Sequence, residues 1–174
     1  MTVILRGEST RISGDLFEFT TPGPGGFLAN QLSLTGGATI DFDVMQFGSG
    51  SHVDFNSGTL KASATEGTDG IIFGRANENG VGLSVSTGGG VIDANVEFRV
   101  SVGLNFRVTD NTDLGRLEFR GHSFSAERIS ENVQAAGDWL QPGQSYTYAT
   151  FDFVENNKDF TNPDSFQVTG SGTR

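Results

Sequence analysis

Apolar residues recur at every second position through most of this chain. That period fits a strand with one buried face and does not fit a helix. Thr39-Ile40-Asp41-Phe42-Asp43-Val44 is a clean example, with Ile40, Phe42 and Val44 inward and the two aspartates outward. Val81–Val85 alternates in the same way, and Val96–Val108 holds one parity for thirteen residues. Gly103 lies inside that run, where a bulge or bend would divide it into two strands. Ile71-Ile72-Phe73 is short and wholly apolar, as a central buried strand would be. Shared parity makes Phe42, Phe98, Phe106 and Phe119 inward, nearly buried core rings.

Turn residues punctuate these runs. Pro22-Gly-Pro24-Gly-Gly26, Gly36-Gly37, Asn56-Ser57-Gly58, Gly88-Gly-Gly90 and Asp110-Asn-Thr-Asp113 each close one. Asn56-Ser57-Gly58 stands between Val53–Phe55 and Leu60–Ala62 as in a hairpin. Roughly ten to twelve short strands at such spacing predict an all-β fold, an antiparallel β-sandwich or jelly roll. One segment departs: Ile129, Val133, Ala136 and Leu140 follow the helical period, which allows one short helix near 125–137. No internal repeat and no linker divides the 174 residues, so residues 1–174 read as a single domain.

Composition narrows the chemistry. With no cysteine, disulfide frameworks, thiol catalysis and thiolate metal sites are excluded. The net charge is −10 and only Lys61 and Lys158 are lysines, which argues against direct nucleic-acid contact. The apolar run after Met1-Thr2 is three residues long, short of the roughly 7–15 of a secretory signal, and no run nears the ~18 residues of a membrane helix. The expectation is a protein made and used without export.

Candidate sites are few. His52 and His122 share no motif, and no nucleophile elbow, phosphate loop or dinucleotide pattern occurs. Gly48–Ser51 and Gly88–Gly90 lie between strands without a following helix, so they read as turns rather than anion cradles. Asp41 with Asp43, and Glu97 with Glu118 across a hairpin, are the only acid pairs spaced for glycoside chemistry. Interleaved with Arg99 and Arg120, the glutamates read instead as a cross-strand charge ladder. Three oxygen-rich clusters would suit calcium: Asp110/Asn111/Asp113, Glu155/Asn156/Asn157/Asp159 and Asp69/Asn77/Asn79. None has a calcium loop's spacing, so no cofactor is assigned and a metal site stays open. Trp139, Tyr146 and Tyr148 are the rings available for a sugar platform.

Asn79-Gly-Val81-Gly-Leu83, Gly88-Gly-Gly-Val-Ile92-Asp93 and Val96–Val102, followed by Gln141-Pro142-Gly143 and Asp164–Val168, resemble β-sandwich domains of secreted bacterial surface proteins that carry PEP-CTERM sorting tails. The likeness covers about residues 77–170. It implies a sandwich without catalytic residues, and it transfers no binding residue. The family's export signal and sorting helix have no counterpart here.

Two functional expectations follow. The first is a non-enzymatic structural protein that self-assembles, a virion component such as a phage capsid decoration or coat subunit. Its partners would be other copies of itself and a larger protein shell, and its edge strands Thr2–Leu5 and Phe166–Val168 would be ordered by neighbouring subunits in a ring or trimer. The alternative is an extracellular surface-matrix or glycan-binding module.

Overall fold

Parallel pairing, not antiparallel, organises this chain. A computed structural model describes residues 1–19, 30–48, 50–63, 70–74, 80–108, 115–121, 124–135, 147–151 and 166–170. Fourteen strands run through them: β1 Thr2–Arg6, β2 Arg11–Phe19, β3 Gln31–Thr35, β4 Thr39–Phe47, β5 His52–Asn56, β6 Gly58–Ala62 and β7 Ile71–Phe73. They continue with β8 Val81–Val85, β9 Gly90–Asp93, β10 Val96–Val108, β11 Leu117–Phe119, β12 Phe124–Ala135, β13 Ala149–Phe151 and β14 Phe166–Gly170. Every described pairing is parallel.

The pairings wind the chain into a solenoid, in which each coil lies on the one before it. Val3 is opposite Leu32, Leu32 opposite Val53, Val53 opposite Leu83, and Leu83 opposite Leu104, steps of 29, 21, 30 and 21 residues. Three strips of sheet result. The first holds β1, β3, β5, β8, the end of β10, the end of β12, and β14. The second holds the start of β2, the start of β4, then β6, β9, β11 and β13. The third holds the end of β2, the end of β4, β7, the start of β10 and the start of β12.

Inward side chains stack in columns along the solenoid. Leu34, Phe55, Val85 and Phe106 form one on the first strip, and Ile40, Leu60, Ile92 and Phe119 one on the second. All eight are buried. On the third strip the column is aromatic. Phe47 lies 4.7 Å from Phe73, and Phe73 lies 4.7 Å from Phe98, both pairs stacked. Phe19 meets Phe47 edge-on at 6.0 Å.

The sandwich and jelly-roll expectation is therefore overturned, together with the sandwich that the PEP-CTERM resemblance implied. Parallel strands usually lie in sheets buried on both faces, where they read as continuous apolar runs. Here one face of each strip meets the core and the other meets water. Parallel strands then alternate just as antiparallel ones do. The segments flanking Asn56-Ser57-Gly58 do not pair with each other. β5 and β6 lie on different strips, joined at a corner where Ser57 takes φ 67°.

The short helix near 125–137 is corrected as well, since Phe124–Ala135 is β12, paired with β10 and β14. Ile129 and Val133 lie four residues apart, a spacing that suits one helical turn and equally one face of a strand. Backbone pairing on both sides decides for the strand. The division within β10 falls between Phe98 and Ser101, where its register against β12 shifts, rather than at Gly103. There the strand passes from the third strip to the first. Phe98, Phe106 and Phe119 are buried as expected, while Phe42 is only half-buried, at the open N-terminal end of the core.

Both terminal strands find a pairing partner within the chain itself. Thr2–Arg6 pairs with Gln31–Thr35, and Phe166–Gly170 pairs with Glu131–Ala135, both within one chain. Residues 171–174 lie outside the described ones.

Corners demand left-handed backbone. Gly7, Gly36, Ser57 and Gly89 turn successive coils from the first strip to the second, with φ of 96°, 63°, 67° and 66°. Their coils are tied by Gly36 N–H to Asn56 O at 3.0 Å, Ser57 N–H to Gly89 O at 2.8 Å, and Gly90 N–H to Arg116 O at 2.9 Å. A Cβ on Gly89 would stand 2.7 Å from the Arg116 carbonyl oxygen, whereas one on Gly50, at φ 69°, would meet open space. Gly50→Ala is thus expected to cost the strain of a left-handed residue, about 1–3 kcal/mol. Gly89→Ala should cost more, because a backbone carbonyl must also move. Urea midpoints test the order; equal shifts would refute the close-packed corner.

Candidate functional site

The outer face of the first strip carries the densest polar arrangement among the described residues. Alternation that sends Val53, Phe55, Leu83 and Val85 inward leaves His52, Asp54 and Ser84 on the outer face of β5 and β8. Register sets Asp54 opposite Ser84 and His52 opposite Gly82. The His52 ring leans over Gly82, where a Cβ would collide with Nδ1. Nε2 then lies 2.8 Å from Ser84 Oγ and 3.1 Å from Asp54 Oδ1. Gln31 Nε2 donates to Asp54 Oδ2 at 2.6 Å.

Serine, histidine and aspartate side by side invite comparison with a nucleophile relay. Such a relay needs the carboxylate on one ring nitrogen and the hydroxyl on the other. Here both partners sit on Nε2. A proton on Nε2 that serves Asp54 leaves that nitrogen unable to accept the serine proton. Ser84 is also buried, at 4% exposure. The cluster is a hydrogen-bonded clasp across β3, β5 and β8. Sequence reading missed it because the partners are 32 residues apart, joined only by the coil register.

The expected acid pairs are not brought together. Asp41 pairs with Arg11, and register sets it opposite Lys61, while Asp43 points to solvent at the corner of β4. Glu97 and Glu118 lie on different strips, so no ladder crosses between them. Each is instead held by an arginine two residues further along the chain: Arg99 Nε donates to Glu97 Oε2 at 2.7 Å, and Arg120 Nε to Glu118 Oε2 at 2.9 Å. The Tyr148 ring packs against Phe106 at 4.8 Å, tilted by 56°, and so joins the core rather than forming a platform. Trp139, Tyr146, His122 and all three calcium clusters lie outside the described residues. Among the described ones, no three acids or histidines converge on a metal position.

A shallow groove of about 250 Å³ follows the corner between the first two strips, lined by Gly37, Ser57, Thr87, Gly88, Arg116 and Glu118. Its corner amides are already used between coils, and Gly88 N–H donates to Asn56 Oδ1 at 3.3 Å. Gly48–Ser51 likewise closes on the fold, with Ser51 Oγ donating to the Phe19 carbonyl at 3.2 Å.

The N-terminal coil, β1 and β2, is different in kind. Among the described residues β1 pairs only with β3 and β2 only with β4, which leaves the far edge of each without a described partner. Among the residues whose side chains are described, which leaves out those of β12 and β14, Met1, Ile4, Ile12 and Leu16 are the exposed large apolar ones, at 64, 51, 38 and 52%. All four belong to this coil. Beside them the Phe42 ring, 5.3 Å from Phe17, rests on Gly14, where a Cβ would approach to 2.8 Å. The end of the core is thus open to solvent. No family model, curated protein or solved structure matches this chain.

Proposed function

We propose that this chain is a non-enzymatic structural protein that self-assembles. The observation that carries this reading is the open N-terminal coil. It concentrates exposed apolar side chains on unpaired strand edges, and both features favour association. The Ser84–His52–Asp54 clasp supports a role without catalysis, since its geometry provides no activated nucleophile. A setting that suits these properties is the outside of a virion, as a phage capsid decoration or coat subunit. A net charge of −10 keeps such a subunit away from packaged nucleic acid.

Sedimentation equilibrium over a dilution series tests the reading. The expected mass exceeds the 18.5 kDa of one chain and falls towards it on dilution. A single chain's mass at the highest concentration would refute self-assembly.

A further inference from the structure

We propose that the N-terminal coil docks onto the N-terminal coil of a second copy, end to end about a two-fold axis; the inference rests on the self-assembly reading and specifies its contact. Both copies present the same three edges there: β1 on the first strip, and the two halves of β2 on the second and third. At the other end of the molecule, β14 continues the first strip alone among the described residues. Among the described residues the second strip ends there at β13 and the third at the start of β12, one and two rungs short of β14. A copy stacked head to tail would not meet the three edges at one level, whereas end-to-end stacking matches all three.

Charge and parity favour the two-fold. In an antiparallel pairing centred on Ile4, Val3 lies opposite Leu5 of the second copy, so inward residues meet inward residues. Thr2 then lies opposite Arg6, and no arginine faces its own copy. The same axis exchanges the second and third strips, carrying the Arg11 end of β2 towards the Glu18 end of the second copy. Opposite charges approach there, while the exposed Asp15, at the corner between the two halves of β2, comes near its own copy. Ile4 itself is the apolar member of an outer row that continues as Ser33, Asp54, Ser84 and Asn105. An apolar residue at the outermost rung of a polar row is explained when it meets its own copy across the edge. A self-complementary contact of this kind closes at two chains and does not propagate.

Because the chain has no cysteine, crosslinking reads the contact directly. Directly opposed residues of an antiparallel pair have Cα atoms about 4.5–5.5 Å apart, within the range a disulfide spans. Ile4→Cys alone is expected to give a disulfide dimer on oxidation, while Gln167→Cys on β14 stays uncrosslinked, alone or mixed with Ile4→Cys. Ile4→Asp should raise the dimer dissociation constant at least tenfold, since the axis sets two carboxylates face to face, with an unchanged far-UV circular dichroism spectrum. If Ile4→Cys crosslinks only to Gln167→Cys, the stacking is head to tail and the two-fold is overturned. If neither crosslinks while the wild-type chain still sediments as an oligomer, the docking proposal falls and self-assembly stands. A monomer throughout overturns both.

Discussion

Phe73→Ala is expected to lower the stability of the chain by about 3–5 kcal/mol, the cost of removing a fully buried ring and leaving a cavity. At this chain length that corresponds to a fall in Tm of about 6–20 °C. Phe73 is fully buried, with Phe47 stacked on one side and Phe98 on the other at 4.7 Å each. In a solenoid each coil touches only its neighbours, so stability resides in the contacts between adjacent coils. Truncating a ring in the middle of the column weakens two of those contacts together. Phe19 is equally buried but stands in the first coil, with one coil beyond it. Phe19→Ala should therefore cost less than Phe73→Ala. Urea denaturation of the two variants measures the difference. A larger loss at Phe19 would mean that the aromatic column is not the continuous element described.

Most strands were legible in the sequence, and so was the side of most that faces the core. β4 is an exception, since it turns at Asp43 and buries Met45 and Phe47 where alternation had put Val44 inward. Ile40, Phe98, Phe106 and Phe119 lie inward because a period of two assigns parity without reference to any partner. Partner direction was not legible. Residue alternation reports how many faces of a sheet are wet, and a solenoid strip with one wet face alternates like a sandwich sheet. A signal for the solenoid does exist, at its corners. Leu5-Arg6-Gly7, Leu34-Thr35-Gly36, Phe55-Asn56-Ser57 and the Val85–Gly89 segment each run from an inward residue to a left-handed one. The steps between coils vary from 21 to 30 residues, so no fixed period exposes the pattern. The Ser84–His52–Asp54 clasp and the exposed edge at Ile4 were hidden for the same reason. Both depend on which coil lies beside which.

The register makes neighbouring residues of one strand respond in opposite ways to the same substitution. Leu60 is fully buried between Ile40 and Ile92, with apolar neighbours on the adjoining coils. Leu60→Asp would place a carboxyl group among them, with no aligned donor to satisfy it. An unpaired buried charge belongs to the few changes that cost more than about 4 kcal/mol. That is a large share of the roughly 5–15 kcal/mol by which a domain is stable. The expected result is a chain that loses its cooperative unfolding transition. Thr59 precedes Leu60 on β6 but faces outward, half-buried between Thr39 and Val91. Thr59→Asp keeps its carboxylate in water and should cost no more than about 1 kcal/mol, within the range of surface changes on a sheet. An antiparallel partner for β6 would give the same parity but different neighbours. Deleting one residue from the corner at Asn56–Ser57 separates the two arrangements. In the solenoid that deletion pulls β6 out of step with β4 and β9 together, and should unfold the chain about as completely as Leu60→Asp. In an antiparallel hairpin it would merely shorten a turn. A deletion variant that melts cooperatively near the wild-type temperature would overturn the parallel register on which the columns, the clasp and the open end all depend.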